Sequence, residues 1–229
     1  WALSRAIQKS TLYGSNLGIL WYLVVPAFQV CIYYVLIVII YRGGEQSVEF
    51  LSVIVAGVTH FQIVTLLQTN TGSILMGNGS ILKSINIPPI TFIIAGFLRS
   101  IIMFLPSVSV GIVFLLIRGG EGYFSHMPSY LVAVIGLLMT SWPIALLTAV
   151  GTLYIRDIER LYPLGCQVMM YSCPVIYHVS FIPAGIESIY YLNPLAVIFG
   201  WIQYGLIGGG HPPLIQTLVA CVLIIILNI

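Results

Sequence analysis

The stretch that decides the fold prediction is residues 156–194, RDIERLYPLGCQVMMYSCPVIYHVSFIPAGIESIYYLNP. It begins with the densest cluster of charges in the chain, which consists of Arg156, Asp157, Glu159 and Arg160. An apolar segment interrupted by Pro174 follows, then a region marked by Pro183 and Gly185, and the stretch ends at an aromatic run before Pro194. This order predicts a charged loop at residues 154–161, a membrane helix, and a broken, aromatic-rich element at the far surface of the membrane.

The composition of the chain is that of a membrane protein. Of its 229 residues, 59% are apolar and 6% are charged, whereas soluble domains carry about 25% charged residues. Such a chain has too little polar surface to stay in water, so we expect an integral membrane protein. The net charge of +2 gives no sign of a nucleic-acid partner. Because the chain starts at Trp1 and stops inside an apolar run at Ile229, we expect a single transmembrane domain over residues 1–229, truncated at both ends.

Six apolar segments predict six transmembrane helices, since about 20 apolar residues cross a bilayer core. They cover residues 19–41, 50–76, 89–117, 129–153, 162–178 and 213 onward. The apolar stretch 195–207 is too short to span, so a re-entrant helical hairpin is predicted at residues 180–208, between the fifth and sixth spans. Residues 1–12 have the pattern of an amphipathic helix lying in the interface, although a frayed flank of the first span fits as well. The predicted fold class is therefore an all-α integral membrane protein.

Basic residues set the orientation by the positive-inside rule. With the N-terminus inside, the inner segments carry five basic residues, and they are Arg5, Lys9, Lys83, Arg156 and Arg160. The outer loops carry two, Arg42 and Arg118. We therefore expect both termini on the cytoplasmic side.

Polar residues inside the predicted spans need partners or water. The second half of the second span is rich in them: His60, Gln62, Thr65, Gln68, Thr69, Asn70 and Thr71. This half is expected to face protein or a wet cavity. Arg99 lies inside the third span, where a charge either serves a function or snorkels to the inner surface. The histidines are scattered in the sequence, and each is expected in the core or at the interface rather than as a ligand.

The sequence offers aromatic residues but no catalytic set. No nucleophile–base pair, metal spacing or phosphate-binding loop is present, so no cofactor is expected in this chain and it should not bind ATP by the usual route. Aromatic residues cluster in the first span and around the fifth, including Tyr33, Tyr34, Tyr171 and Tyr177. Most of them fit an interfacial belt. The alternative is a sugar path, because sugar rings stack on aromatic faces while tyrosine hydroxyls bond sugar oxygens.

Several blocks of the sequence resemble one family. Arg-Asp-Ile at 156–158, Pro-Val-Ile-Tyr at 174–177, Ile-Pro at 182–183 and Tyr-Leu-Asn-Pro at 191–194 occur in the order and spacing found in permease subunits of ABC-2 type polysaccharide exporters. The run 13–22, YGSNLGILWY, and the pair Lys83 and Pro88 also resemble that family. The chain departs from it at Thr59 and His60, where the family has a Pro-Trp pair.

The resemblance implies a permease rather than an enzyme. It implies a homodimer around a central path in the bacterial inner membrane, in contact with membrane lipids, and two cytoplasmic ABC ATPase subunits that use ATP and Mg²⁺. The substrate would be a lipid-linked polysaccharide such as the O-antigen of lipopolysaccharide, teichoic acid or capsule.

Together with the residue patterns, the resemblance assigns three sets of residues. The first set is expected to contact the ATPase and consists of Lys83, Arg156, Asp157, Glu159 and Arg160. The charges of residues 156–160 also fit a solvated loop that only orients the chain in the membrane. Expected to line the path are Tyr33, Tyr34, Tyr171, Tyr177 and Arg99. Expected to form an external gate are Pro183, Tyr191, Asn193 and Pro194.

Two other functions remain open at this point. One is an ABC-2 exporter of a drug, an antibiotic or a lipid. The other is an integral-membrane enzyme that modifies lipids, which would need carboxylates or histidines grouped at one depth. The sequence shows no such group.

Overall fold

The computed structural model describes residues 20–40, 44–84, 87–119, 123–183 and 185–228. Their helices are α1 (Trp21–Tyr34, continued by a π-helical turn, Val35–Ile40), α2 (Gly44–Thr71), α3 (Ile74–Gly77), α4 (Gly79–Ser84), α5 (Ile90–Arg118), α6 (Met127–Tyr154), α7 (Ile158–Ser172), α8 (Glu187–Tyr190), α9 (Pro194–Ile207) and α10 (Leu214–Asn228). A 3₁₀ turn covers Val179–Phe181. The described part of the chain contains no strand. The predicted interfacial helix at 1–12 and the run 13–19 lie outside the described residues.

Among the described residues, three helical segments are long and apolar enough to cross a membrane. They are Glu49–Gly77, which comprises most of α2 and α3 and has 29 residues, α5 with 29 and α6 with 28. At 1.5 Å per residue each exceeds the bilayer core of about 30 Å. The predicted spans 89–117 and 129–153 match α5 and α6 to within two residues at each end. Shorter apolar helices stand where the first and sixth spans were predicted. The chain is therefore an all-helical, multi-pass membrane protein.

Three predicted loops are shorter than expected. Helix α2 begins at Gly44, between the predicted first and second spans, and α4 lies between the predicted second and third spans. The predicted charged loop 154–161 is too long: α6 runs to Tyr154 and α7 starts at Ile158, which leaves residues 155–157 as the loop. Glu159 and Arg160 lie in the first turn of α7, where a carboxylate interacts favourably with the helix dipole.

The predicted fifth span, 162–178, also needs correction. Helix α7 ends at Ser172 after 15 residues, a length of about 22 Å. Cys173 has extended backbone angles, φ −113° and ψ 155°, as expected for a residue that precedes a proline. Pro174 has no N–H to continue the helix. The residues after Cys173 therefore form an irregular segment, called here the break (residues 173–179).

Helix α9 is buried inside the protein. The Asn193 side chain accepts a hydrogen bond from the N–H of Leu195 at 3.0 Å, and Pro194 occupies the first helical position, which is the arrangement that favours a helix start. Ten of its 14 residues are buried. An apolar helix covered on most sides belongs to the core of a protein. Helix α9 packs mainly on α6, and also on α2 and α10.

Helix α2 lies at the centre of the fold and packs against α1, α5, α6, α7 and α9. Its polar second half is largely covered, as predicted: Thr59, His60 and Thr71 are buried, although Thr69 is exposed. Asn70 Nδ2 donates to Ser100 Oγ of α5 at 3.1 Å. A Cβ at Gly96 would collide with the Asn70 carbonyl oxygen, so glycine allows α2 and α5 to approach closely.

His60 joins α2 to α6 as a core residue. Its Nδ1 lies 2.7 Å from the Ala56 carbonyl oxygen, which can only accept, so Nδ1 carries the hydrogen. Its Nε2 lies 3.0 Å from the hydroxyl of Tyr130 and must accept from it. Both ring nitrogens are therefore satisfied in the neutral imidazole, so His60, which stands where the resembling family has tryptophan, is a hydrogen-bonded core residue.

Candidate functional site

A cavity of about 490 Å³ opens between α1, α2 and α7. Its walls are Tyr33, Leu36, Ile37, Phe50, Ile54, Met170, Tyr171 and Ile176. It lies between helices that occupy the first and fifth predicted spans, with α2 as its back wall. Tyr33 and Tyr171 share this cavity, whereas Tyr34 is 44% exposed and lies outside the lining.

Tyr177 supports the cavity from the break. Its hydroxyl donates to the carbonyl oxygen of Tyr171 at 3.0 Å. Because that donation uses its single hydrogen, the hydroxyl of Tyr190, also 3.0 Å away, donates to Tyr177. Three of the four tyrosines assigned to the path thus lie at or beside one cavity. Phe50 and Ile54 of α2 were not predicted, and their apolar character gave no signal that separates a cavity wall from a core position.

The chemistry of the cavity is mainly apolar. Its walls carry two phenol groups, those of Tyr33 and Tyr171, among aliphatic, aromatic and thioether side chains. Such a surface can bind an acyl or prenyl chain through burial of apolar area, and its two tyrosines can stack on sugar faces.

Arg99 lies elsewhere in the fold. It is 9% exposed and belongs to α5, on the face that carries Gly96 and Ser100, which contact α2. The structure therefore does not bring Arg99 to the cavity that Tyr33 and Tyr171 line.

A polar cleft of about 280 Å³ lies where α2 ends, α6 ends and α7 begins. Its lining is Gln68, Thr69, Gly72, Ser73, Thr148, Thr152, Ile158, Glu159 and Tyr162. Thr69, Thr148 and Thr152 donate their hydroxyl hydrogens to backbone carbonyls, so they present oxygen acceptors to the cleft. Glu159 lines this cleft, while Arg156, Asp157 and Arg160 are exposed beside it. The side chain of Lys83, on α4, lies outside the described residues.

The four residues assigned to an external gate are not equivalent. Pro183 is exposed between the 3₁₀ turn and α8. Tyr191 is 1% exposed and packs against Val197 and Ala220. Asn193 and Pro194 start α9, and Asn193 Nδ2 lies 3.4 Å from the Cys173 sulfur. Tyr191 and Asn193 thus tie this segment to α9 and to the break.

Gln203 is a residue of this region that the sequence pattern did not single out. It is 1% exposed on α9, and its amide reaches three backbone groups of the break. One signal was available: within 195–207, LAVIFGWIQYGLI, Gln203 is the one side chain that is polar and not aromatic.

No family model matches the chain. Two proteins described as O-antigen export system permease protein RfbA, both from Klebsiella pneumoniae, are 26% identical to it over 189 residues. The match covers 82% of this chain and 72% of each relative. These relatives bear out the resemblance noted in the motifs: over most of its length the chain is similar to permease subunits of the ABC-2 type polysaccharide exporters.

Proposed function

We propose that the chain is the transmembrane subunit of an ATP-driven ABC exporter that moves a lipid-linked cell-surface polysaccharide across the bacterial inner membrane. The observation that carries this proposal is the match to two O-antigen export permeases over 82% of the chain. The cavity shared by Tyr33 and Tyr171 supports it, because it lies between the two segments that line the path in the resembling family.

The proposed assembly is a homodimer with two cytoplasmic ATPase subunits. Exposed apolar faces on α1 and α7 support contact with a second copy or with lipid: Phe28, Ile32, Leu161, Leu164 and Val168 are between 59% and 68% exposed. The cleft that contains Glu159 and the neighbouring exposed charges are proposed to meet the ATPase. The lining of the cleft is rich in hydrogen-bond acceptors, which suits a donor group from the ATPase, such as a lysine or arginine side chain.

The proposed topology keeps six spans, both termini inside and a re-entrant hairpin. The position of α9 supports the hairpin. Gly205 lies against Tyr130 near the start of α6, and Ile198 lies beside Gly136 further along it. The N-terminus of α9 therefore starts part-way along α6, and non-helical backbone at such depth is tolerated where protein covers it.

Deletion and complementation in the native bacterium test the proposed function. Loss of the chain should remove the polymer from the cell surface and leave lipid-linked polymer inside the cell, and the intact gene should restore export. A normal amount of surface polymer in the deletion strain would contradict the proposal. Pull-down of the complemented protein should recover an ABC ATPase.

A second candidate is an exporter of a small hydrophobic compound or a lipid. It is favoured by one observation, the largely apolar lining of the cavity. In this case the deletion strain would keep its surface polymer and accumulate the hydrophobic compound. The same strain therefore separates the two candidates.

A further inference from the structure

The break is a difficult segment to keep inside a membrane protein. Helix α7 has ended, and within the break the turn from Cys173 to Val175 uses a short backbone hydrogen bond of 2.7 Å. The N–H of Cys173 still bonds the carbonyl oxygen of Met169 in α7 at 3.1 Å. The carbonyl oxygens of Pro174 and Tyr177 and the N–H of Val179 take part in no such backbone bond. In hydrocarbon each such group needs a partner, since an unsatisfied one costs several kcal/mol.

Gln203 supplies partners for three of these groups. Its Nε2 donates to the carbonyl oxygen of Pro174 at 2.5 Å and to that of Tyr177 at 2.9 Å. Its Oε1 accepts from the N–H of Val179 at 3.3 Å. Both amide hydrogens and one acceptor site are therefore used, and all three bonds go from α9 to the break.

Other contacts show that the break is tightly seated. Cys173 and Val175 are fully buried. A Cβ at Gly57 would overlap the carbonyl of Val175, so glycine lets the break lie directly on α2. That contact is van der Waals packing, which permits the break to slide along α2. The hydrogen bonds of the Gln203 amide instead fix the distance and the orientation of the break relative to α9.

We propose that Gln203 is a positioning residue that makes the break and α9 one rigid body, so that the end of α7 moves only together with α9. The proposal rests on the proposed export function in one respect: if α7 opens the path, α9 must follow it. The three hydrogen bonds from Gln203 to the break, called here the clamp, are a property of the fold and can be tested without substrate.

Substitution of Gln203 by Met tests the clamp, because Met has a similar shape and forms none of the three hydrogen bonds. Gln167→Met is the matched control, since Gln167 is exposed on α7. The native Cys173 reports on the break when Cys31, Cys166 and Cys221 are replaced by Ala. In membrane vesicles, we expect a water-soluble maleimide to label Cys173 at least about tenfold faster in Gln203→Met than in the protein with Gln203. Tenfold is the factor expected from the loss of a single buried hydrogen bond, and this substitution removes three. Gln167→Met should leave the labelling rate unchanged.

An engineered disulfide between the start of α9 and the break tests whether a covalent link can replace the hydrogen bonds of Gln203. Asn193→Cys places a second thiol beside Cys173, because the Asn193 amide nitrogen lies 3.4 Å from the Cys173 sulfur. Because Asn193 of the expected external gate contacts Cys173 of the break, loosening the break should also loosen that gate, so we expect Gln203→Met to raise the ion leak of the vesicles. The disulfide between positions 193 and 173 should lower the leak to that of the disulfide-linked Asn193→Cys variant in which Gln203 is intact, and reduction should raise it again. A residue needed only for folding would not be replaced by this cross-link.

Two results would overturn the proposal. One is equal labelling of Cys173 in inserted Gln203→Met and Gln167→Met, and the other is a formed disulfide that leaves the leak of Gln203→Met unchanged. If Gln203→Met does not insert, Gln203→Leu replaces it, because leucine is smaller and also forms none of the three hydrogen bonds. It should change labelling in the same direction. A normal amount of surface polymer in the deletion strain would contradict the proposed function and leave the labelling result intact.

Discussion

The amide nitrogen of Gln203 donates to the carbonyl oxygen of Pro174 over 2.5 Å, and this bond joins a buried helix to the point where α7 has broken. The relationship explains how the proline that ends this membrane helix keeps its own carbonyl oxygen hydrogen-bonded. It also links the cavity to α9, because Tyr177, which bonds both Gln203 and Tyr171, lies between them.

Gly57→Ala should displace the break from α2. The added methyl group would overlap the Val175 carbonyl, and overpacking of this kind costs about 1–3 kcal/mol. We expect a lower midpoint in detergent-induced unfolding and faster maleimide labelling of Cys173. Gly165→Ala is the control, because a Cβ at Gly165 meets no atom within 4 Å. Equal effects of the two substitutions would show that the break is not seated on Gly57.

His60 and Tyr130 should be energetically coupled. A double-mutant cycle with His60→Leu and Tyr130→Phe removes each partner of the 3.0 Å hydrogen bond. Interhelical hydrogen bonds in membrane proteins contribute about 0.6 kcal/mol on average and up to about 1.7. We expect a coupling free energy in that range from reversible unfolding in mixed detergent. Strict additivity of the two single substitutions would contradict the assigned bond.

The charges around the polar cleft should couple the permease to its motor. Reversal of Arg156 and Asp157 together keeps the net charge, and both side chains are exposed, so the protein should insert normally. If this surface contacts the ATPase, the double variant should export less polymer while its ATPase subunits continue to hydrolyse ATP. The control is Arg118→Glu at the end of α5, on the opposite side in the proposed topology. Unchanged export in the double variant would place the ATPase contact elsewhere.

Tyrosines at the cavity should matter more than tyrosines outside it. Tyr33→Ala and Tyr171→Ala are expected to lower export per inserted molecule, because both side chains line the cavity. Tyr34→Ala is the matched control, since Tyr34 neighbours Tyr33 and is 44% exposed. A role in the interfacial belt predicts the reverse, namely altered insertion with normal export per inserted molecule. Export assays normalised to membrane-inserted protein decide between the two.

The sequence predicted the long helices well and the interruption of α7 poorly. Helices α5 and α6 are continuous apolar runs with clear ends, so hydropathy located them within two residues. The end of α7 was misplaced because the apolar run continues past Pro174 and composition alone does not register the lost backbone bond. The pairing of Tyr33 with Tyr171 was expected, whereas the contribution of Phe50 depends on how α2 packs behind them. The clamp by Gln203 depends on which backbone groups are left over, and only the folded arrangement defines these.

The most direct measurement of the central claim is site-specific photo-crosslinking in living cells that produce the polymer. A photo-reactive amino acid replaces Leu36 in the cavity wall, or Leu116 on the exposed face of α5 as the control. If a lipid-linked polysaccharide passes this cavity, illumination should attach glycan to the Leu36 variant, and a polymer-specific antibody should detect the adduct. The Leu116 variant should capture membrane lipid without glycan. Absence of glycan from the adduct at position 36 in cells that export polymer normally would contradict the account.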